Sequence, residues 1–570
     1  MENKVRKQDI LHKKNDFKNM RELVEWAAVT YPDRNGYSFR VKPLDKEAVR
    51  KSYVEMRDDV RGLATELHSR GFAGKHIAVI GKNSYEWILS YFSILSTGSV
   101  IVPLDRDWLA PDLADTVAKA ECEVLICDAD ITDKAEAISE RAGIKDVFYL
   151  TADGEGSIGS LVALGKEKFA ASSDAYFNTE IDADKMSILV FTSGTTGKGK
   201  GVMLSQTCVL SDMSDVIQFI DFTKKSVSVL PPHHTFGSSV MITGHCMIGC
   251  EIYISAGLKY ITKELKAEKP GHLVLVPLYL ETFYRKILAN IKAKNSEAKF
   301  KKGVKISNFL RKASFGLIDL RKKLFKEVRD AFGGELSMVI SGGAALNSEI
   351  VEFFENVGIS TLNGYGITEC APIISVNHSK KNIKGSVGFP LGIDEIKIDE
   401  PNEDNEGEIC VKGSNVMLGY YKDKDATADV FDSEGFFRTG DYGKVEKGAI
   451  FITGRKKNLI ILSNGKNVYP EEIENDLIAT PGILDIVVYE GQSRRGLEHN
   501  AIVAEVYPDK EYIEKNGITD VAAYLQPYVD EYNRGAVHYK KITILKVREE
   551  EFPKNTLRKI MRFKIDMTID

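Results

Sequence analysis

Short apolar runs alternate with stretches of helical spacing along most of this chain. The run HIAVI at His76–Ile80 is typical of a buried strand, and residues 100–102 begin another. Between them, Asn83 or Ser84 can cap a helix. The apolar residues of that helix recur at helical spacing and are Ile88, Tyr91, Phe92 and Leu95. Strand, helix and strand together predict a βαβ unit, the usual connection between parallel strands.

The same alternation recurs further along the chain. Strands are predicted near residues 124–127, 187–191, 227–230, 272–276 and 338–340. Helical stretches separate them, so we predict an α/β fold with largely parallel sheets. Folds of this class bind ligands beyond the carboxyl ends of their strands, and functional residues are therefore expected there.

The organisation changes after Gly454. Residues 464–469 are predicted to turn into a helix that starts at Pro470, a favoured first helical residue. Strands are predicted at residues 486–489 and 502–506, and a helix over residues 521–532. The pattern predicts two domains, a large body of residues 1–454 and a small C-terminal lid of residues 455–570.

Composition and charge narrow the range of partners. The 570 residues exceed one ordinary core, and the net charge of −5 gives no overall attraction to nucleic acid, so no nucleic-acid partner is expected. His245 and Glu251 interrupt the richest apolar stretch, residues 238–258, which leaves no uncharged run near 18 residues. The basic, polar N-terminus also lacks a signal-peptide core. These features predict a cytoplasmic protein.

The seven cysteines are scattered and lack paired CxxC spacing. They are Cys122, Cys127, Cys208, Cys246, Cys250, Cys370 and Cys410. This distribution favours reduced thiols in the core over a zinc site or a disulfide framework.

Residues 285–329 form a lysine-rich tract with helical spacing. Its cations are interleaved with Phe300, Phe309, Leu310, Phe315 and Leu324. Such a helix can lie on the surface of a membrane, which would make the protein peripheral at the inner face of that membrane. The alternative is an ordinary solvated surface helix.

The sequence FTSGTTGKGKG at residues 191–201 follows a predicted apolar strand. Gly194 and Gly197 allow successive backbone N–H groups to turn inward and form a nest for an anion. Hydroxyl donors are supplied by Thr192, Ser193, Thr195 and Thr196. Lys198 or Lys200 can neutralise phosphate oxygens. The loop therefore suits a polyphosphate, although it lacks the Walker A spacing and a hairpin turn without a ligand is the alternative.

Six further segments share this chemical logic. They are LPPHHTFG at 230, SGGAAL at 341, NGYGITE at 363, RTGD at 438, GRKKN at 454 and PKNTLRKI at 553. In this order, they and the loop resemble the adenylate-forming superfamily, which contains acyl-CoA synthetases, adenylation domains of peptide synthetases and beetle luciferase. The resemblance implies an α/β fold. A large N-terminal domain of stacked α/β layers, with two mostly parallel sheets and a small β-barrel-like part, would carry a small mobile α+β C-terminal lid.

The resemblance also assigns residues to ATP. The phosphates would contact Thr192, Ser193, Gly194, Thr195, Thr196, Gly197 and Lys200. The nucleoside and α-phosphate would contact Gly343, Ala344, Ala345, Asn363, Gly364, Tyr365, Gly366 and Thr368. In these roles the Asn363 amide bonds to adenine and Tyr365 stacks on it. Glu369 would hold Mg²⁺, a cation that prefers oxygen ligands. Asp441 would accept from the ribose hydroxyls, with Arg455 nearby.

Other positions fall on the carboxylate side and on the lid. His234, Gly237 and Gly343 are expected to line the carboxylate pocket. Thr235 stands where peptide-synthetase domains commonly carry an aspartate, which disfavours an amino-acid substrate. Lys457 falls at the family's hinge.

Lys559 is the candidate for the mobile catalytic lysine, which would contact both the carboxylate and the α-phosphate. Asn555 and Arg558 depart from the usual form of this motif, and Lys554 is the alternative.

The resemblance implies a reaction in two steps. A carboxylate first attacks the α-phosphate of MgATP to give an acyl adenylate and pyrophosphate, and the thiol of CoA then displaces AMP. The basic insertion before SGGAAL and the phrase LIILSNGKNVYPEEIE resemble long-chain fatty acyl-CoA synthetases, which implies a medium- or long-chain fatty acid. An acyl carrier protein presents the same phosphopantetheine arm and is the alternative acceptor. A non-catalytic nucleotide-binding homologue and a luciferase-like oxidase are alternatives of other classes.

Overall fold

The computed structural model describes residues 10–192, 199–462, 467–492, 501–554 and 560–569. The predicted α/β fold is confirmed. The strands are β1 (Asn35–Phe39), β2 (Val49–Ser52), β3 (His76–Ile80), β4 (Val100–Leu104), β5 (Val124–Cys127), β6 (Asp146–Tyr149), β7 (Met186–Thr192), β8 (Lys200–Ser205), β9 (Lys225–Ser228), β10 (Glu251–Ile254), β11 (His272–Leu275), β12 (Met338–Ser341), β13 (Ser360–Gly366), β14 (Ile373–Val376), β15 (Phe389–Pro390), β16 (Asp394–Asp399), β17 (Gly407–Gly413), β18 (Gly419–Tyr420), β19 (Phe437–Glu446), β20 (Ala449–Arg455), β21 (Ile460–Ile461), β22 (Asn467–Val468), β23 (Ile483–Glu490), β24 (Ile502–Pro508) and β25 (Ile544–Val547).

The α-helices lie between these strands, except for α1, which precedes β1. They are α1 (Met20–Thr30), α2 (Tyr53–Ser69), α3 (Tyr85–Ser96), α4 (Ala110–Lys119), α5 (Thr132–Ala142), α6 (Ile158–Ala171), α7 (Asp174–Phe177), α8 (Gln206–Val216), α9 (His245–Ile248), α10 (Ile261–Glu268), α11 (Pro277–Ala293), α12 (Glu297–Ala313), α13 (Arg321–Leu324), α14 (Lys326–Asp330), α15 (Ser348–Asn356), α16 (Lys424–Val430), α17 (Pro470–Leu477), α18 (Lys510–Lys515) and α19 (Val521–Gly535). A π-helix spans Phe236–Gly244, and 3-10 turns lie at Thr368–Cys370, Lys456–Asn458, His538–Lys540 and Arg562–Lys564. None of the described helices is long and apolar enough to span a bilayer.

Two large sheets form the body. The first has the order β18-β8-β7-β4-β3-β5-β6, and its strands from β7 to β6 are parallel. The second has the order β15-β14-β13-β12-β11-β9-β10-β1-β2, and its strands from β13 to β1 are parallel. Antiparallel strands are confined to the edges.

One predicted strand is shifted. The strand expected at residues 227–230 lies at Lys225–Ser228, because the chain leaves the sheet ahead of Pro231 and Pro232. A proline nitrogen carries no hydrogen and cannot donate to a sheet.

A smaller antiparallel sheet, β16-β17-β19-β20, corresponds to the predicted β-barrel-like part. Its edge strand β20 joins the body, because Val387 and Gly388 exchange backbone hydrogen bonds with Ile450 at 2.9 and 2.8 Å. This contact places the end of β20, at Arg455, beside the carboxyl ends of the large sheets.

Helix α3 lies at the centre of the body. The Ser84 hydroxyl, not Asn83, caps it by accepting from the Trp87 amide at 3.1 Å, and every residue of the helix except Glu86 is buried. Its apolar side chains belong to one hydrophobic cluster that also contains Ile77 of the first sheet and Ile340 of the second. The described cysteines are all buried and reduced, as predicted.

The residues after Arg455 have separate cores. One contains Ile460, Ile473, Val488 and Val529, and another contains Tyr489, Val503 and Phe552. Among the described residues, no hydrophobic cluster takes members from both sides of Arg455.

Candidate active site

A cavity of about 1870 Å³ opens where the two large sheets and the C-terminal part meet. Its wall includes the carboxyl ends of β7, β12 and β13, the beginning of β19 and the end of β20. Because parallel strands end together at one edge of a sheet, this is the position at which α/β folds bind ligands. Most of the predicted site residues that the structure describes line this one cavity.

Tyr365, Asp441 and Arg455 form a hydrogen-bonded group on one wall. The Tyr365 hydroxyl donates to Asp441 Oδ2 at 2.7 Å, and Arg455 Nε lies 2.7 Å from Asp441 Oδ1. Asp441 and Arg455 are directly paired residues of β19 and β20, so the register of this hairpin fixes their contact. Burial and the charge of Asp441 raise the pKa of Tyr365. A carboxylate has about four acceptor positions, which leaves Asp441 able to accept further hydrogen bonds.

Asn363 lies in the middle of β13, opposite Ser341 at the end of β12, and lines the same cavity. Its side-chain oxygen is buried and has no hydrogen-bond partner among the described residues. A buried acceptor without a donor is costly, so it suits a ligand that brings an N–H group. Gly364, Gly366 and Thr368 line the cavity beside it.

Thr192 and Lys200 mark the base of the predicted phosphate loop. They face each other as the last pair of the antiparallel strands β7 and β8. Both line the cavity. The predicted contacts at Ser193, Gly194, Thr195, Thr196, Gly197 and Lys198 lie outside the described residues.

Glu369 faces the cavity and is held by a residue that the sequence did not single out. The Tyr420 hydroxyl donates to Glu369 Oε1 at 3.0 Å, and the Lys200 ammonium lies 4.6 Å from the centre of the Tyr420 ring. Tyr420 is on β18, which pairs with β8, so sheet topology brings it next to Lys200. No motif signals this contact, since Tyr420 and Glu369 are 51 positions apart. The remaining carboxylate oxygen fits a hard cation such as Mg²⁺.

Two further carboxyl groups, those of Asp212 and Asp394, lie near Cys370, the residue after Glu369. Burial raises the pKa of Asp212, and it raises the pKa of Asp394 to about 8. An acid with this pKa is mostly protonated at neutral pH.

The segment SGGAAL brings small residues to the cavity. Gly343 has φ of +86°, a conformation that favours glycine, and Ala344 and Ala345 line the cavity after it. A side chain at Gly342 would meet the Phe236 ring at 3.0 Å. The backbone of this segment is therefore open to a ligand.

His234 borders the apolar end of the cavity. Its ring centre is 4.2 Å from that of His233, and His233 Nε2 lies 3.3 Å from Asp105 Oδ2. Apolar side chains extend the wall beyond it: Val216, Ile220, Phe236 and Val240. If the carboxylate of a substrate lay near His234, the hydrocarbon chain of that substrate could contact these apolar residues.

Gly237 is not one of the described residues that line this cavity. A Cβ at this position would be 2.2 Å from the Pro231 carbonyl oxygen. The structure therefore explains Gly237 by close packing of the π-helix against Pro231, and not by contact with a substrate.

The C-terminal part supplies the opposite wall. Lys457 lies in the 3-10 turn directly after β20, where burial lowers its pKa. Lys554 Nζ contacts Asp485 Oδ2 and Glu551 Oε1, both at 2.7 Å. Burial acts to lower the pKa of Lys554, but these hydrogen bonds outweigh it and raise the pKa. Lys559 lies outside the described residues.

Known proteins resemble this chain over most of its length. A chloroplastic long-chain fatty acid–acyl-carrier-protein ligase of Arabidopsis thaliana is 26% identical, with 89% of this chain and 78% of that protein covered. Long-chain fatty acid–CoA ligase 5 of Rattus norvegicus is 28% identical, with 81% and 71% covered. ATP-bound MatB of Rhodopseudomonas palustris has the same fold, with a TM-score of 0.73, 24% identity and coverage of 95% and 97%. The sequence model of the AMP-binding enzymes matches residues 24–421, and the chain belongs to this enzyme family.

Proposed function

We propose that this enzyme activates a medium- or long-chain fatty acid with MgATP and transfers the acyl group to the thiol of CoA. One observation supports this most strongly. A single cavity combines the Asn363 and Asp441 acceptors, the Glu369 carboxylate and an apolar wall beyond His234. These features suit a nucleoside, a cation-bound phosphate and a hydrocarbon chain, respectively.

In the first step, a carboxylate oxygen of the acid attacks the α-phosphorus of ATP. The bond from that phosphorus to the bridging oxygen of the β-phosphate breaks, and pyrophosphate leaves. Asn363 accepts from the adenine amino group, and Asp441 accepts from the ribose hydroxyls. Thr192, Lys200 and the loop between them hold the leaving phosphates. Alignment and charge neutralisation are the main catalytic terms in phosphoryl and related transfers, so no covalent protein nucleophile is needed.

In the second step, the sulfur of the thiol attacks the acyl carbon. The acyl–oxygen bond breaks, AMP leaves, and the thiol proton passes to solvent. A bound Mg²⁺ neutralises charge on the phosphates, and Glu369, oriented by Tyr420, is its proposed ligand. Thr368 would donate to the α-phosphate.

The proposed division into domains is residues 1–454 and 455–570, with Lys457 as the hinge. The separate cores on the two sides of Arg455 support it. Lys559 is the proposed catalytic lysine. Its neighbours Ile560 and Met561 line the cavity, whereas Lys554 is neutralised by Asp485 and Glu551.

An acyl carrier protein is the alternative acceptor. The Arabidopsis relative is named as an acyl-carrier-protein ligase and the rat relative as a CoA ligase, at similar identity to this chain. CoA and the carrier protein present the same phosphopantetheine thiol, so the cavity suits both. A cytoplasmic location stays a prediction from the sequence.

The test is carboxylate-dependent release of pyrophosphate from MgATP across straight-chain acids of graded length. Each acid is then assayed for thioester formation with CoA and with phosphopantetheinyl carrier protein. We expect release to rise with chain length and acyl-CoA to be the main thioester. Acyl-carrier protein as the only product would favour the alternative acceptor. No release with any acid would contradict the proposal.

A further inference from the structure

The helical segment between β11 and β12 has an outer face that the proposed reaction does not use. We define the basic hairpin as residues 297–324, which comprise α12, the following turn and α13. The inner side of α12 is fixed to the body, since Phe300 packs on Phe325 and Phe353 with ring centres 5.2 and 5.6 Å apart. The basic hairpin is thus a fixed surface of the protein.

Large apolar side chains of the basic hairpin point into solvent. The exposed fractions of Phe309, Phe315 and Leu317 are 70%, 97% and 90%. Phe315 has φ of +51°, a left-handed conformation that is unusual for a residue with a side chain. Three more apolar residues are at least two-fifths exposed: Ile306, Ile318 and Leu324. A helix that contacts only water gains no stability from exposed apolar side chains. Exposed apolar clusters of this kind mark interaction surfaces.

Positive charge surrounds these apolar residues. The basic hairpin contains nine lysines and arginines and two acids, Glu297 and Asp319, which gives it a local net charge of +7 in a chain whose net charge is −5. Asp319 is already paired with Arg321 at 2.5 Å. No described carboxylate forms a salt bridge with the exposed ammonium groups of this region, which belong to Lys299, Lys301, Lys302, Lys305, Lys312, Lys322 and Lys323.

We propose that the basic hairpin docks on an anionic lipid surface. The lysines contact headgroup phosphates, and Phe309, Phe315 and Leu317 enter the interface between headgroups and acyl chains. Apolar side chains at the tip of a turn, ringed by cations, fit a surface that is apolar within and anionic outside. An acidic protein would match the cations but would leave the tip residues without an apolar partner of defined shape.

The inner side of α12 connects this surface to the cavity. Asn308 and Arg311 line the cavity, and Phe309 between them points outward. Docking would therefore bring lipid to within about one helix diameter, roughly 10 Å, of the cavity wall. This link to substrate delivery rests on the proposed function, whereas the docking itself does not.

Binding is tested by sedimentation with vesicles of phosphatidylcholine alone and of phosphatidylcholine mixed equally with phosphatidylglycerol. We expect the full chain to sediment with the mixed vesicles, at least tenfold more tightly than with the neutral ones. High salt should weaken this binding, because the Debye length falls from about 10 Å at 0.1 M to about 3 Å at 1 M. Equal binding to both kinds of vesicle, or to neither, would overturn the proposal.

Two triple variants locate the surface. Lys299→Glu with Lys302→Glu and Lys305→Glu should weaken binding to mixed vesicles at least tenfold. Phe309→Ser with Phe315→Ser and Leu317→Ser should do the same. The matched controls change equally exposed residues elsewhere and should bind like the parent: Lys259→Glu with Lys263→Glu and Lys266→Glu, and Val29→Ser with Val41→Ser and Leu44→Ser.

All four variants are also assayed for pyrophosphate release with a short, water-soluble acid, which needs no membrane. Unchanged release shows that each variant is folded. Parent-like vesicle binding by both hairpin variants would overturn the proposal. Loss of acyl transfer to an acidic carrier protein, with vesicle binding intact, would instead assign the surface to a protein partner. Vesicle binding without any pyrophosphate release would support the docking and contradict the proposed function alone.

Discussion

The two sides of the cavity are built in different ways. On the side formed by residues up to 454, the site residues stand on strands of sheets whose apolar side chains share a continuous core. On the side formed by residues after 454, the chain has its own smaller cores, and it reaches the body through polar contacts. Examples are Lys456 Nζ to Glu408 Oε2 at 2.6 Å, and Asn347 Nδ2 to the Asn475 carbonyl oxygen at 2.5 Å.

This difference separates two tasks. Apolar burial across an interface holds parts together, whereas polar contacts exchange with water at little cost in free energy. The body can therefore hold the nucleotide in one geometry. The proposed reaction, with a lysine used in only one of two steps, would require the C-terminal side to leave its present position and return, and polar contacts permit this.

The largest expected effect on activity comes from substituting Lys559, the proposed catalytic lysine of the C-terminal side. We expect Lys559→Ala to lower acid-dependent pyrophosphate release by about 1000-fold, because it removes charge stabilisation in the transition state. Thioester formation from supplied acyl adenylate should stay within a few-fold of the parent. Both half-reactions are measured in single-turnover assays.

Lys554→Ala is the matched control. Its ammonium is already paired with Asp485 and Glu551, so we expect it to leave adenylation largely intact. If Lys554→Ala abolished adenylation and Lys559→Ala did not, the assignment would be reversed. Equal loss of both half-reactions in Lys559→Ala would contradict a lysine used in one step only.

On the body side, Asp441 should give the next largest effect. Asp441→Asn weakens a buried group that joins Tyr365, Arg455 and the proposed ribose site. Because the Arg455 side chain is 44% exposed, its ion pair adds little, and the loss comes from hydrogen bonds to the buried Asp441 carboxylate. Each hydrogen bond to a charged group contributes about 1.5 to 3 kcal/mol, so kcat/KM for MgATP should fall by about 10- to 100-fold. Steady-state kinetics with ATP varied provides the measurement.

Asp432→Asn is the control for this change, because Asp432 pairs with Lys397 at 2.9 Å away from the cavity. It should leave kcat/KM near that of the parent. The role of Asp441 would be contradicted if the two variants behaved alike.

The sequence predicted the fold better than the contacts within the site. Strand β3 was predicted at its observed bounds, because a buried parallel strand is a continuous apolar run and periodicity detects it. Glu369 was expected to hold Mg²⁺, but its hydrogen bond from Tyr420 was not expected, because that contact depends on the pairing of β8 with β18. Gly237 was expected to line the pocket and packs on Pro231, since sequence does not distinguish a glycine needed for a ligand from one needed for packing.

A substitution of Tyr420 also tests the body side of the cavity, with a smaller expected effect. Tyr420→Phe removes the hydrogen bond to Glu369 and keeps the ring beside Lys200. A hydrogen bond to a charged group contributes about 1.5 kcal/mol, so we expect the Mg²⁺ concentration for half-maximal pyrophosphate release to rise about tenfold. The adjacent Tyr421→Phe loses a similar bond, to Glu121 at 2.8 Å, on the exposed surface. An equal shift in both variants would exclude a specific role of Tyr420 in orienting Glu369.

The smallest expected effect concerns the contact between the two sides. Lys456→Met breaks the ion pair with Glu408, and since the Lys456 side chain is 46% exposed, this pair is worth about 0.5 kcal/mol. In the present arrangement Ile560 and Met561, the neighbours of the proposed catalytic lysine in sequence, line the cavity, which is the arrangement that the proposed adenylation step would use. Weakening it should slow adenylation about twofold relative to thioester formation, and high salt should abolish the difference by screening the pair. Lys397→Met breaks the pair with Asp432 within the body and should leave the ratio of the two rates unchanged. The same ratio change in Lys397→Met would mean that the effect reflects general stability, and that the polar contacts across Arg455 do not control the position of the C-terminal side.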